Sequence, residues 1–163
     1  MNIDLGPLFA KQRELDAHIH ANHRLDYPST RYKRILALLV ELGELANETR
    51  AFKFWSLKAP SPIEKILDEY ADGMHFFLSL GIDMGSQKLV YQVIHPTLDF
   101  VNQTLLVYHT IDTMRIKQDT VSFEVAFQSY LEMIPLLGVT PDDAIAAYYK
   151  KLGVNYKRQE EKY

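Results

Sequence analysis

The chain has 163 residues, 47% of them hydrophobic, so it is long enough to bury one sizeable core. Its formal net charge of -3 argues against polymeric nucleic acid as a partner, and no apolar run is long enough to cross a membrane. Without cysteine there is no disulfide framework and no thiolate metal site, and we expect a single cytoplasmic domain over residues 1–163.

Apolar residues recur at helical spacing, and alternation typical of strands is nearly absent, which predicts an all-α fold. We expect a first helix over about residues 5–23 and a second, buried helix over about residues 31–53. The sequence Ser61-Pro62-Ile63-Glu64 has the form of a capping box, so a third helix should start there and end near Gly81. Apolar residues on both faces of the second and third helices exceed what one small bundle needs, which predicts a homodimer.

The sequence patterns that predict helices are weaker in the second half of the chain. Helices are predicted over about residues 87–117, with a break before Pro96, over about residues 120–134, and after Thr140-Pro141-Asp142-Asp143. Residues 148–163 are polar and have few apolar positions. We therefore expect them to form a mobile C-terminal segment that orders over a bound ligand.

Paired carboxylates mark the second and third helices. Glu41 and Glu44 lie three residues apart on one helix, and Glu69 and Asp72 have the same spacing on the next, so each pair shares a helix face. Glu48 extends the first acidic stripe by one turn. The spacing allows each pair to bind one common ligand.

Acidic residues on a helix usually form a solvated face. Here the second helix has no lysine or arginine between Arg34 and Arg50, and alanine, valine and phenylalanine border the acidic stripe. Four like charges in an apolar setting are costly unless protons or cations compensate them. Carboxylate ligands favour Mg²⁺, with Mn²⁺ as a substitute, and Mg²⁺ commonly binds substrate phosphates as well, which indicates a phosphate ester as substrate.

The two pairs resemble the metal-binding signature of the all-α nucleoside triphosphate pyrophosphatases, the MazG-like superfamily that includes the dimeric dUTP diphosphatases. Four segments are similar to the dUTPase branch: Gln12 to Asp16, ELGELANETRAFKFW from Glu41 to Trp55, DGMHFFLSL from Asp72 to Leu80, and KLGVNYKRQ from Lys151 to Gln159, followed by Tyr163. The resemblance implies a dimeric helical bundle that hydrolyses dUTP to dUMP and pyrophosphate, with dUDP as a candidate second substrate.

The resemblance also implies roles for individual residues. Two or more Mg²⁺ ions would be held by Glu41, Glu44, Glu69 and Asp72, and a metal-activated water would attack the phosphate chain, with Glu44 as its base and Glu41 or Glu48 as alternatives. The implied substrate-binding residues are Gln12, Asp16, Trp55 and Asn155 around uracil, His75 by the deoxyribose, Lys53, Lys151 and Arg158 at the phosphates, and Gln159 in the same C-terminal motif.

Three alternatives remain open at this point. A MazG-like enzyme could act on another nucleotide, such as dCTP or a non-standard triphosphate. A di-iron carboxylate bundle uses Glu-x-x-His pairs from two helices, of which Asp72-x-x-His75 mimics only one. A non-catalytic helical protein could present its acidic stripe to a basic partner.

Overall fold

The structure, a computed structural model, describes residues 1–162, and Tyr163 of the C-terminal motif lies outside the described residues. The first half of the chain contains three long helices: α1 (Gly6–His23), α2 (Tyr27–Thr49) and α3 (Ile63–Asp83). The predicted all-α fold is confirmed. Among the described residues, no helix combines the length and the apolar character needed to cross a membrane.

α2 begins one turn earlier than the sequence predicts, because a capping box forms there. The Asp26 carboxylate accepts a hydrogen bond from the Ser29 backbone N–H, and the Ser29 hydroxyl accepts one from the Asp26 N–H. The capping box predicted at the start of α3 is not formed. The Ser61 hydroxyl instead donates to the Glu48 carboxylate, which ties the end of α2 to the start of α3.

A short antiparallel strand pair replaces the start of the fourth predicted helix. β1 (Asn2–Asp4) pairs with β2 (Val90–Gln92), and Ile3 lies opposite Tyr91, with both side chains buried. The prediction of a helix from residue 87 was therefore wrong. Strands this short have too few residues to show a local alternation, and their pairing depends on a partner at the other end of the chain.

The rest of the fold consists of α4 (Phe100–Lys117), α5 (Thr120–Leu131), α6 (Met133–Leu136) and α7 (Pro141–Glu160). The predicted helix over residues 120–134 is interrupted after Leu131, because Pro135 lacks the N–H that would bond to the Leu131 carbonyl in a continuous helix. α7 continues into the segment predicted to be mobile. Its Tyr148, Lys151 and Leu152 side chains are buried, because α7 packs on α3 and α1.

α2 and α3 pack together along their lengths and position the site. Their buried faces consist of Ile35, Leu38, Leu42 and Leu45 on α2 and Ile66, Tyr70, Met74 and Phe77 on α3. α3 also approaches α5 closely at Gly73, where any Cβ atom would collide with the Tyr130 ring. The Tyr130 hydroxyl donates to the Tyr70 carbonyl at 2.8 Å, and the two rings stack at 4.6 Å. α3 is therefore the central helix of the bundle.

Candidate active site

A cavity of about 350 Å³ lies between α1, α2 and α3, with the C-terminal part of α7 forming a further wall. Its lining includes eight of the residues that the sequence indicated: Gln12, Asp16, Glu41, Asp72, His75, Asn155, Arg158 and Gln159. These residues come from four helices that are distant along the chain. Only the packing of the helices brings them to one cavity.

Three carboxylates form an acidic cluster, which we define as Glu41, Glu69 and Asp72. One oxygen from each lies within 4.8 Å of the others. Glu41 comes from α2, and the helical spacing of α3 places Glu69 and Asp72 on the same face. Three oxygens at this separation fit the ligand set of a hard divalent cation. Glu44 is exposed and lies outside this group of three.

The negative charge of the acidic cluster is only partly compensated by nearby cations. Burial raises the pKa of Glu41 to about 7, with further contributions from the charges of Asp72 and Glu69. Burial also raises the pKa values of Glu69 and Asp72, and each has another carboxylate nearby. The three side chains therefore hold their protons more tightly than ordinary carboxyl groups do, and a cation at the cluster would reverse that effect.

Lys151 supplies part of the missing positive charge. Its buried ammonium lies 2.8 Å from Asp72 Oδ2 and 2.9 Å from Asp68 Oδ2. Burial alone would lower the pKa of Lys151, but the hydrogen bonds to Asp72 and Asp68 outweigh it and raise the pKa. The structure thus pairs Lys151 with the carboxylates of Asp72 and Asp68. Sequence reasoning missed Asp68, although its position one turn before Asp72 could have revealed it.

A chain of hydrogen bonds connects α1, α2 and α3 along the cavity wall. The Tyr27 hydroxyl donates to Asp16 Oδ2 at 2.9 Å, and Gln12 Nε2 donates to Asp16 Oδ1 at 2.9 Å. Gln12 Oε1 lies 2.7 Å from Nδ1 of His75 and accepts from the Tyr148 hydroxyl at 3.1 Å. The sequence indicated Gln12, Asp16 and His75, but it had no signal for the two tyrosines.

His75 combines deep burial with an unpaired ring nitrogen. Its side chain stacks on Tyr148 at a ring-centroid distance of 4.2 Å. Burial lowers the pKa of His75 to about 4, so the ring is neutral at neutral pH. Within residues 1–162, its buried Nε2 atom makes no hydrogen bond of normal geometry, although the Tyr148 backbone lies close enough to the ring to raise its pKa.

The cavity wall also includes Arg34, which sequence reasoning did not select. Arg34 is buried and donates to the Thr30 hydroxyl at 3.1 Å and to the Asp83 carboxylate at 2.6 Å. It lies two helical turns before Glu41 on the same face of α2, so its position could have been found from that spacing. Ser79, which also lines the cavity, faces it from α3.

Six of the residues selected from the sequence do not line the cavity: Glu44, Glu69 and Lys151, described above, and Glu48, Lys53 and Trp55. The Glu48 carboxylate accepts from the Ser61 hydroxyl and pairs with Lys65 at 3.0 Å, and these contacts lower its pKa. Lys53 and Trp55 belong to the loop between α2 and α3, and Trp55 is 66% exposed.

The comparisons with known proteins identify the family of the chain. A family model described as dUTPase matches residues 4–163, which is nearly the whole chain and includes every helix that lines the cavity. No curated protein matches the chain. The family match extends over residues 85–140, where the sequence shows no specific motif. The chain therefore belongs to the dUTPase family, in its all-α branch, and is a nucleoside triphosphate pyrophosphohydrolase that acts on dUTP.

Proposed function

We propose that the chain converts dUTP to dUMP and pyrophosphate in the cavity between α1, α2 and α3. The observation that carries the proposal is the acidic cluster beside a cavity whose walls hold Gln12, His75 and Asn155. The charged end suits a metal-bound triphosphate, and the polar walls suit a nucleoside. dUDP has the same nucleoside and a shorter phosphate chain, and we include it as a second substrate.

The proposed cofactor is Mg²⁺, as two or more ions, with Mn²⁺ as a substitute. Glu41, Glu69 and Asp72 would hold it, and Glu44 would join them from the adjacent turn of α2. The raised pKa values of the cluster support this assignment, because they indicate a need for positive charge. When bound, Mg²⁺ neutralises phosphate charge and makes a water molecule more acidic.

The proposed general base is Glu44. It is exposed on the same face of α2 as Glu41, so its carboxylate can reach a water molecule at the edge of the cluster. Glu41 is the alternative, because it lines the cavity from the same face of α2. Glu48 is the third candidate, but its hydrogen bonds to Ser61 and Lys65 would first have to break.

The proposed phosphate-binding residues are Arg158, Lys151 and Lys53. Arg158 lines the cavity, and its charge offsets part of the rise in the pKa of Asp72. Its guanidinium can bind two phosphate oxygens at once. Lys151 orients Asp72 and brings a positive charge to the cluster. Gln159 lines the same wall and would assist.

Specificity for uracil is assigned to Gln12, Asp16, Asn155 and Trp55. Gln12 already uses its amide oxygen and one N–H inside the protein, so only its second N–H is open to a ligand. Trp55 is in the α2–α3 loop and can reach the base only if this loop rearranges or if a second copy of the chain supplies it.

We further propose that residues 1–163 act as one cytoplasmic domain whose segment 148–163 closes over bound nucleotide. Asn155, Arg158 and Gln159 support this proposal, because they line the cavity from α7. Closure would exclude bulk water from the phosphate chain.

A homodimer is proposed from the apolar groove between the end of α2 and the start of α4. We define this groove by its lining residues Ala46, Ala51, Phe52, Phe100, Val101, Thr104, Leu105 and Tyr108. Beside it in the sequence, Phe54 is 93% exposed. A second copy of the chain would remove this apolar surface from water.

The test is pyrophosphate and monophosphate release from dUTP, dTTP, dCTP, UTP and dATP, with Mg²⁺ and with excess chelator. We expect selective conversion of dUTP to dUMP that stops with chelator. Comparable turnover of dCTP or dATP would overturn the uracil assignment and support the MazG-like alternative. Full activity in chelator would overturn the metal assignment. The family match favours this proposal over a di-iron protein or a non-catalytic module.

A further inference from the structure

Lys151 links α7 to two carboxylates of α3 that have different surroundings. Its ammonium lies 2.8 Å from Asp72 Oδ2 and 2.9 Å from Asp68 Oδ2, and its side chain is only 5% exposed. Asp72 belongs to the acidic cluster, whereas Asp68 lies one helical turn before it and outside the cluster. The Asp68 side chain is 45% exposed. The buried ammonium is therefore shared between a proposed metal ligand and a partly solvated carboxylate.

A divalent cation at the acidic cluster would compete with Lys151 for Asp72. Both are positively charged and both would contact the same carboxylate, so their repulsion disfavours the present position of the ammonium. A buried ammonium that loses its partner is costly. Asp68 Oδ2 lies within hydrogen-bond distance of the same Nζ atom, so Lys151 can keep a partner on α3 while the cation takes Asp72.

The position of Lys151 affects the cavity through the residues that follow it on α7. Asn155, Arg158 and Gln159 lie about one and two helical turns later on the same face, and all three line the cavity. The pairing of Lys151 with α3 therefore holds this face of α7 toward the cavity. Without a second partner for Lys151, metal binding would weaken the docking of α7 in the state that binds the nucleotide.

We propose that Asp68 is a positioning residue that holds Lys151, and with it α7, on α3 when a divalent cation binds Asp72. This inference rests on the proposed metal site at the acidic cluster. Exposed ion pairs contribute little to stability, but in this pair the ammonium is buried. Asp68 therefore matters more for metal binding and for the order of α7 than for the stability of the metal-free protein.

The first experiment measures the affinity of nucleotide-free protein for Mn²⁺, from the electron paramagnetic resonance signal of the free ion. In Asp68→Asn, Mn²⁺ has to displace Lys151 from Asp72 without the second carboxylate to receive it, and we expect the dissociation constant to rise about tenfold. Lys151→Met removes the competing charge and should lower the dissociation constant. In the Lys151→Met background, Asp68→Asn should change it less than about twofold, because Asp68 then has no ammonium to hold.

Glu64→Gln is the matched control for charge. It removes one negative charge from the same helix, one turn before Asp68, at an exposed position. Solvent and salt screen such a charge, so this variant should bind Mn²⁺ as the native protein does. A rise in the dissociation constant as large as that of Asp68→Asn would mean that the effect is one of net charge, which would contradict the proposal.

The second experiment follows hydrogen exchange in residues 152–160 of α7 by mass spectrometry, without metal and at saturating Mg²⁺. In metal-free Asp68→Asn, Asp72 still pairs with Lys151, so exchange should be as slow as in the native protein. Saturating Mg²⁺ should accelerate exchange in Asp68→Asn and should not accelerate it in the native protein. A purely structural role of Asp68 predicts faster exchange in both states of the variant.

An effect of Asp68→Asn on Mn²⁺ affinity that persists in Lys151→Met would show that Asp68 acts on the metal directly, and would overturn the proposal. Exchange in Asp68→Asn that is the same with and without Mg²⁺ would also refute it. If Lys151→Met does not fold, the exchange data for Asp68→Asn decide.

The two proposals fail in different ways. Native protein that turns over dUTP, together with an Asp68→Asn variant that matches it in both experiments, would refute the role of Asp68 and leave the proposed function supported. Native protein that binds no Mn²⁺ and releases no dUMP would refute the proposed function and this inference together.

Discussion

Glu41 illustrates a conflict between stability and activity at a single residue. Burial and neighbouring carboxylates raise its pKa to about 7, so the ionised form is poorly accommodated without a cation. We expect Glu41→Gln to lower kcat about 100-fold or more and to raise the melting temperature of the metal-free protein near pH 8. Exposed Asp112→Asn is the control for both measurements. A fully active Glu41→Gln variant would contradict the metal assignment.

The same residue predicts a pH dependence of stability. The folded-state pKa of about 7 lies above the ordinary value of 4.5, so unfolded chains lose this proton first as the pH rises. The free energy of unfolding of metal-free protein should therefore fall as the pH rises from 4.5 to 7, and should fall less in Glu41→Gln. Urea titrations at several pH values check this prediction.

Metal addition should reverse this trend, because protons compete with Mg²⁺ for the carboxylates. We expect Mg²⁺ to raise the melting temperature more at about pH 7.5 than at about pH 5. Equal shifts at both pH values would mean that Mg²⁺ does not bind at the acidic cluster.

At the scale of the helix, two glycines predict opposite effects of the same substitution. At Gly81, a Cβ atom would lie 2.5 Å from Phe123 Cζ, whereas at exposed Gly153 it would meet no atom within 4 Å. Gly81→Ala should therefore destabilise the protein by about 1–3 kcal/mol through overpacking. Gly153→Ala should stabilise it by roughly 0.5–1 kcal/mol through helix propensity. Urea denaturation measures both, and a stabilised Gly81→Ala variant would show that Phe123 repacks easily.

Asp83 joins the start of α2 to the end of α3. Its side chain is 2% exposed and pairs with Arg31 and Arg34, each at 2.6 Å. Asp83→Ala leaves the Arg34 charge buried without this partner, and we expect a loss of about 3–5 kcal/mol in the free energy of unfolding. Asp112→Ala breaks the exposed pair with Arg115 and should cost less than about 1 kcal/mol. Similar losses for both variants would contradict a special role for the buried pair.

At the scale of the whole molecule, the apolar groove predicts the oligomeric state. Leu105 is 61% exposed at the groove, and Ile116 is 67% exposed on the same helix but outside it. We expect a dimer by sedimentation velocity, and a dissociation constant at least about tenfold higher for Leu105→Glu, because a charge at the interface would be desolvated. Ile116→Glu should leave the dimer intact. A native monomer, or equal effects of both variants, would contradict this interface.

The helices could be predicted from the sequence to a large extent, and the site only in part. The buried faces of α2 and α3 follow directly from apolar spacing, as Leu38 and Phe77 show. Glu41 and Asp72 were identifiable because each has another carboxylate three residues away on its own helix, and such spacing is local information. The pairing of Ile3 with Tyr91 was not, because nothing near either residue specifies a distant partner.

The sequence by itself determined the helical class, the acidic residues and the family resemblance, since these depend on residue types at short spacing. Only the tertiary structure decided which carboxylates meet. It placed Glu41 beside Asp72, left Glu44 outside that group, and brought Lys151 from α7 to Asp72. The physical reason is that hydrogen bonds and charge pairs between helices form only where the helices pack together. The packing brings side chains of four helices to the cavity and leaves the loop with Trp55 exposed.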